Sequence, residues 1–176
     1  GWKDVNKKFP KLIYASASGF GQTGPLKELP AYDMVVQGMG GLMSVTGQPN
    51  SEPTRVGTSI GDITAGLFTA IGINAALYDR QKTGKGMYID VSMLDCQIAI
   101  LENAIARYLS KNEIPKPMGS RHPSIAPFEA FKTLDSHIII AAGNDKLFEK
   151  LCNLLDISEL ISDPKFSDNS SRAKHM

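Results

Sequence analysis

The chain has 176 residues, 42% hydrophobic and 21% charged, which excludes a disordered or collagen-like chain and leaves room for one domain or slightly more. With 19 basic and 18 acidic side chains the net charge is +1, so there is no electrostatic case for a nucleic-acid or anionic-membrane partner. Cys96 and Cys152 lack a second Cys or a nearby His, which leaves no zinc spacing and no disulfide framework; a reducing, cytoplasmic location is expected.

The opening Gly1-Trp-Lys-Asp-Val-Asn-Lys-Lys8 is not a signal peptide. Starting without Met, and stopping at Ser171-Arg-Ala-Lys-His-Met176 with no closing turn, is expected of an interior piece of a longer protein. Residues 11–18 (KLIYASAS), between Pro10 and Gly19, read as a buried strand, and 19–30 as a loop. A short helix is predicted over 32–41, ending in a double glycine, with loop again from Gln48 to Gly57. The next helix, over 62–81, closes at Lys82-Thr-Gly-Lys-Gly86.

That helix carries two stripes. Ile63, Leu67, Ile71 and Tyr78 form a large apolar face; Ala65, Thr69, Gly72 and Ala76 form a small one that allows close backbone approach. Its uncharged stretch, Ile63 to Tyr78, is 16 residues long and holds Thr64, Thr69 and Asn74, short and polar against the ~20 residues of a membrane span. Residues 87–93 read as a strand, and one helix is predicted through Leu94, Ile98, Leu101, Ile105 and Tyr108, with Ser92 and Asp95 as a capping box. Pro115, Pro117, Pro123 and Pro127 then mark a linker. Beyond it come two strands, 128–133 and 137–142, and a helix over 146–155 with Asn144 or Asp145 as N-cap.

A literal G-x-G-x-x-G, Gly19-Phe-Gly21-Gln-Thr-Gly24, follows the first strand. A dinucleotide site needs a long helix at its third glycine and an acidic residue ~20 positions on. Pro30 stops such a helix and 41–46 reads GLMSVT, so a structural loop is expected. His122, His137 and His175 share no ligand spacing and read as surface or hydrogen-bonded structural residues. Among the carboxylates Asp62 stands out, after Gly61 and at the start of the long uncharged helix. The plain reading is an N-cap. The same place suits a nucleophile, because a helix N-terminus keeps a carboxylate ionised and Gly57 and Gly61 let a bulky acyl group approach.

The ordered set Ser18-Gly-Phe-Gly-Gln-Thr-Gly-Pro25, Tyr32-Asp33 with Gln37, Gly40-Gly41, Thr46-Gly47, Gly61-Asp62, Ala75-Ala-Leu-Tyr-Asp-Arg80, Thr83-Gly-Lys-Gly86 and Ile89-Asp-Val-Ser92 resembles the class III coenzyme A transferases, the formyl-CoA and carnitine-CoA transferase group. Gly119-Ser-Arg-His-Pro123, Ala126-Pro-Phe128 and Ala141-Ala-Gly-Asn-Asp145 continue the match, which covers essentially the whole chain. The resemblance implies an α/β fold: part of a Rossmann-like large domain plus the start of a small α+β domain, in a fold that forms interlocked homodimers. On that template residues 1–112 are the middle of the large domain, 113–126 a Pro-rich linker and 127–176 the beginning of the small domain. Members are substantially longer, so this stretch alone is expected to bury its core poorly and to depend on further chain and a partner subunit for activity.

By the same resemblance Asp62 matches the catalytic aspartate, which takes an acyl-CoA through an acyl anhydride to an aspartyl-CoA thioester and passes CoA to an acceptor carboxylate. The thioester is a substrate, and no metal or redox cofactor is implied. Leu29, Pro30, Ala31 and Tyr32 match a segment lining the CoA and substrate pocket. Pro30 stands where formyl-CoA transferases carry a basic residue, so formyl-CoA and oxalate specificity does not carry over. A related α-methylacyl-CoA racemase would need a His-Asp pair and a Glu, where this chain reads Tyr32-Asp33 and Gly143-Asn144. A non-catalytic assembly fragment, using the small-residue stripe as its surface, is the remaining alternative.

Overall fold

The computed structural model describes residues 1–175, in two compact units, 1–117 and 118–175. In the first unit, strands β1 (Tyr14–Ser18) and β2 (Tyr88–Ser92) pair in parallel, from Tyr14 beside Tyr88 to Ser18 beside Ser92. Parallel neighbours require a crossover. Here it contains α2 (Asp33–Met39), the short α3 (Leu42–Val45) and α4 (Ile60–Thr83).

Before β1 lies α1 (Trp2–Lys8), a helix that the sequence reading did not anticipate. Its Trp2 stacks on Tyr88 at 6.1 Å between ring centroids and tilts against Tyr14 at 6.2 Å, closing an aromatic cluster at one end of the strand pair. After β2 the single helix expected through Tyr108 is two, α5 (Met93–Ile100) and α6 (Glu102–Lys111). Leu101, at φ −74° and ψ 6°, is the joint. Its backbone leaves the helical ladder for an i−3 bond to Ile98, a break too tight to interrupt the apolar spacing from which one helix was read.

The two stripes of α4 meet different surroundings. Ala65 and Ala76, from the small stripe, are buried, whereas Ile63, Leu67, Ile71 and Tyr78 are all exposed. Close approach explains the choice: at Gly72 a Cβ would lie 3.1 Å from Ile89 Cγ2 on β2. By length and composition alone α4, at 24 residues, is long and apolar enough to cross a bilayer, which corrects the shorter estimate from Ile63 to Tyr78. In the folded unit α5, α2, β2 and β1 pack against it. The core there is small: Ala65, Val91 and Cys96, flanked by Ile89 and Met93.

In the second unit, antiparallel strands β3 (Phe128–Lys132) and β4 (His137–Ala141) pair from Phe128 beside Ala141 to Lys132 beside His137. Helix α7 (Asp145–Leu154) follows, and Asn144 is its N-cap, its side-chain oxygen accepting from the Leu147 N–H at 3.0 Å. A helical turn at Ser158–Ile161 leads to α8 (Asn169–His175). Arg172 of α8 is fully buried: it donates to the carbonyls of Ala126 and Phe166, each at 3.0 Å, reaches Asp145 at 2.6 Å and lies over the Phe148 ring. An apolar cleft of about 480 Å³ lies between the hairpin and α7, lined by Phe131, Ile138, Phe148 and Leu151 among others.

Candidate active site

Helix α4 begins at Ile60, with Ser59 in the N-cap position. Asp62 is therefore inside the first turn, and the N-cap reading of this residue does not hold. The Ser59 side chain makes no capping bond. Instead the Gly61 N–H, one of the free donors at the helix start, is taken by Oδ1 of Asp33 on α2 at 2.7 Å. Close contact makes this possible, since a Cβ on Gly61 would lie 2.7 Å from Val36 Cγ2 and 3.0 Å from Asp33 Oδ1.

Asp33 is itself held. Its second oxygen accepts from Gln37 Nε2 at 2.8 Å, one helical turn along α2, and Arg55 Nη1 lies 4.0 Å from it. Gln37 is fully buried, and its Oε1 accepts the Val56 N–H at 2.8 Å. One buried chain of hydrogen bonds thus ties α2 to both ends of the segment 56–61. A second support reaches the same turn from α5. Gln97 Nε2 donates to Thr64 Oγ1 at 3.1 Å, and that hydroxyl donates to the Ile60 carbonyl at 2.7 Å. Gln97 Oε1 is buried without a hydrogen-bond partner among the described residues.

Asp62 takes no part in either network; its side chain faces solvent at the end of α4 where backbone N–H groups point outward. Tyr32 is the N-cap of α2 and 81% exposed, and because Asp33 bonds to Gly61 the residues on either side, Tyr32 and Asp62, come to adjoining turns. Ala31 packs against Gly19. Leu29 and Pro30 are exposed in the loop that leads into α2. Gln97 and Thr64 were missed in the sequence; the usable signal was a Gln between Cys96 and Ile98, in a helix otherwise apolar at that point.

The glycine-rich loop after β1 lacks the long helix that a dinucleotide fingerprint needs at its third glycine. Its Gln22 N–H is satisfied by Asp90 Oδ2 at 2.8 Å, so a carboxylate already sits where a pyrophosphate would need that donor, and only a turn follows Gly24. His122 likewise serves its own loop, its Nδ1 accepting from the Ser124 and Ile125 N–H groups while the ring stacks on Phe128 at 5.1 Å. Both cysteines are free and buried. Burial, with the Asp95 charge beside it, pushes the Cys96 thiol above its ordinary value; burial does the same for Cys152, opposed by Arg172.

The parallel β1–β2 pair with its helical crossover places the first unit in the α/β class, with Asp62 in the first turn of α4 and a carboxylate from α2 on the adjacent Gly61 N–H. The chain belongs to CoA-transferase family III, whose model matches residues 1–176. It is 48% identical over 172 residues to acetyl-CoA:oxalate CoA-transferase of Acetobacter aceti, covering 97% of this chain and 44% of that protein. It is 42% identical over 166 residues to succinate–glutarate CoA-transferase of Agrobacterium fabrum, covering 94% and 42%. The fold matches a CAIB/BAIF family protein from Brucella suis at TM-score 0.81 and 43% identity, over 99% of this chain and 46% of that one. It matches Rv3272 from Mycobacterium tuberculosis at TM-score 0.85 and 28% identity, over 99% and 45%. The chain thus spans less than half the length of the relatives it matches.

Proposed function

We propose that the protein carrying this chain is a CoA-transferase that moves coenzyme A from an acyl-CoA to a small carboxylic acid, with Asp62 as nucleophile. The observation that carries the reading is the freedom of Asp62: it lies in the exposed first turn of α4 while Asp33 satisfies the Gly61 N–H that a helix-start carboxylate would otherwise take. The partial positive charge of the helix end favours the ionised carboxylate. Its oxygen adds to the thioester carbonyl, the C–S bond breaks, and an acyl-aspartyl anhydride and CoA thiolate result. The thiolate then attacks the aspartyl carbonyl of the anhydride, releasing the donor acid and leaving an aspartyl-CoA thioester. The acceptor carboxylate reverses both steps, and the difficult exchange is divided into easier ones. Every atom comes from the two substrates and Asp62.

The activities for which the relatives are named support this class and suggest donors and acceptors: acetyl-CoA or succinyl-CoA, with oxalate or glutarate. Leu29, Pro30, Ala31 and Tyr32 are proposed to line the CoA and substrate pocket, Tyr32 from the turn adjoining Asp62. A racemase would use a base at Tyr32 and a carboxylate at Asn144, but a phenol is a poor base near neutral pH and the Asn144 side chain caps α7. As an assembly surface the small-residue stripe is unsuited, because Ala65 and Ala76 are already covered within the chain. The exposed large face of α4, with Leu67 60% and Ile71 62% accessible, fits a protein whose remaining chain and partner copy cover it, in keeping with an interlocked homodimer.

The test is turnover in the full-length protein, with acetyl- and succinyl-CoA offered against oxalate, glutarate and other small acids. Asp62→Asn is expected to lower kcat by roughly a thousandfold or more for any productive pair. Wild-type turnover in that variant refutes Asp62 as nucleophile.

A further inference from the structure

We infer that Asp33 is a positioning residue for Asp62, acting through the Gly61 N–H, and that only a carboxylate at this place satisfies the buried network as it stands. The inference rests on Asp62 being the nucleophile. Gln37 has a single acceptor, Oε1, and it is committed to the Val56 N–H at 2.8 Å, so its amide must present Nε2 to Asp33. Asp33 therefore faces two donors at once, Gln37 Nε2 at 2.8 Å and the Gly61 N–H at 2.7 Å, and must accept at both oxygens. An asparagine has one acceptor and one NH₂ group. Whichever way it turns, a donor meets a donor in a site where Gln37 is fully buried and Asp33 is 9% exposed. The strained bond is then relieved by moving either segment 56–61 or the first turn of α4, and both carry the carboxylate of Asp62 with them. Arg55, 4.0 Å away and half-exposed, favours a negative charge here without making either hydrogen bond.

The same logic supplies a rescue. In the pair Asp33→Asn with Gln37→Glu, the asparagine oxygen accepts from Gly61, its NH₂ donates to the new carboxylate, and the other carboxylate oxygen accepts from Val56. The polarity of the network is restored with no change in the number of heavy atoms. The long 3.5 Å contact of Gln37 Nε2 to the Thr58 carbonyl is lost, and the negative charge that Arg55 faces at 4.0 Å moves from residue 33 to residue 37, one turn along α2.

The experiment compares full-length wild type, D33N, Q37E and the double variant, measuring kcat and KM with succinyl-CoA as donor and glutarate as acceptor, together with labelling of Asp62 by succinyl-CoA alone after hydroxylamine treatment. In D33N, kcat and the rate of Asp62 labelling are expected to fall by about 10- to 100-fold. KM for the thioester stays within about threefold, because the binding surface is untouched. The double variant is expected to recover most of the loss. Wild-type kcat in D33N, a loss confined to KM or to thermal stability, or a folded double variant no more active than D33N each overturns the inference. If D33N does not fold, the double variant decides alone: folded and active supports the inference, folded and inactive overturns it. Absence of Asp62 labelling in wild type refutes the nucleophile assignment instead, a different failure read from a different sample.

Discussion

At Gly61 the space for a side chain is already occupied by Val36 and Asp33, and that crowding is what brings α2 against the start of α4. Replacing it with alanine forces Val36 Cγ2, 2.7 Å from the new methyl, to give way. Gly61→Ala is therefore expected to destabilise the unit by about 1–3 kcal/mol, the usual range for overpacking, read as a lower urea midpoint at unchanged slope. It should also lower kcat, since the displaced turn carries Asp62. Cys96 makes the opposite case, a nucleophile by type and inert by surroundings. Its thiol is 5% exposed and held above its ordinary pKa by burial and the Asp95 charge. Alkylation by iodoacetamide at neutral pH is expected to leave Cys96 unmodified in the folded protein and to modify it in urea; rapid labelling of the native form contradicts the burial described.

At the scale of elements, α8 is fastened at both its face and its start. Arg172 is buried, but its charge partner Asp145 is largely exposed, so the ion pair itself adds little. The larger effect of Arg172→Met comes from the Ala126 and Phe166 carbonyls left without a donor, about 1–3 kcal/mol, measurable as a shift in unfolding midpoint. At the start of α8 Asp168 accepts from the Ser171 N–H at 2.9 Å and from the Ser171 hydroxyl at 3.1 Å, which holds its carboxyl below the ordinary carboxylate value. Because the folded pKa is the lower one, the contribution of Asp168 is fully present above the ordinary carboxylate pKa and disappears as pH falls through the depressed value. Protection of the Ser171 amide from hydrogen exchange, corrected for the intrinsic pH dependence of exchange, should decline through that acid range. Asp168→Ala should abolish the decline; an unchanged profile in the variant refutes the assignment to Asp168.

Across the whole molecule, legibility followed how local each cause was. β1, β2, the β3–β4 hairpin and α7 came from apolar runs between Pro, Gly and turn residues, and the Asn144 cap from one side chain and its neighbours. The joint at Leu101 was hidden because a tight i−3 turn keeps the apolar spacing of a continuous helix. α1 and α8 were missed for a different reason. Trp2 and Arg172 justify them through partners distant in sequence, Tyr88 and Ala126. Helix α4 had both stripes in plain view, yet which one packs depends on how closely the strands approach, and that is a property of the fold. The position of Asp62 was legible, while its freedom was not: Ser59, not Asp62, is the N-cap, and Asp33, 28 positions earlier than Gly61, supplies the missing acceptor.

The central claim, that Asp62 forms a covalent bond to the acyl-CoA, is met most directly by trapping. The full-length protein is incubated with succinyl-CoA, quenched in acid, and the peptide containing Asp62 is weighed with and without hydroxylamine. A mass increase on Asp62 that hydroxylamine converts to the hydroxamate is expected in wild type and not in Asp62→Asn. An unmodified Asp62 peptide in a preparation that transfers CoA from succinyl-CoA once glutarate is added, or an adduct on another residue, contradicts the claim.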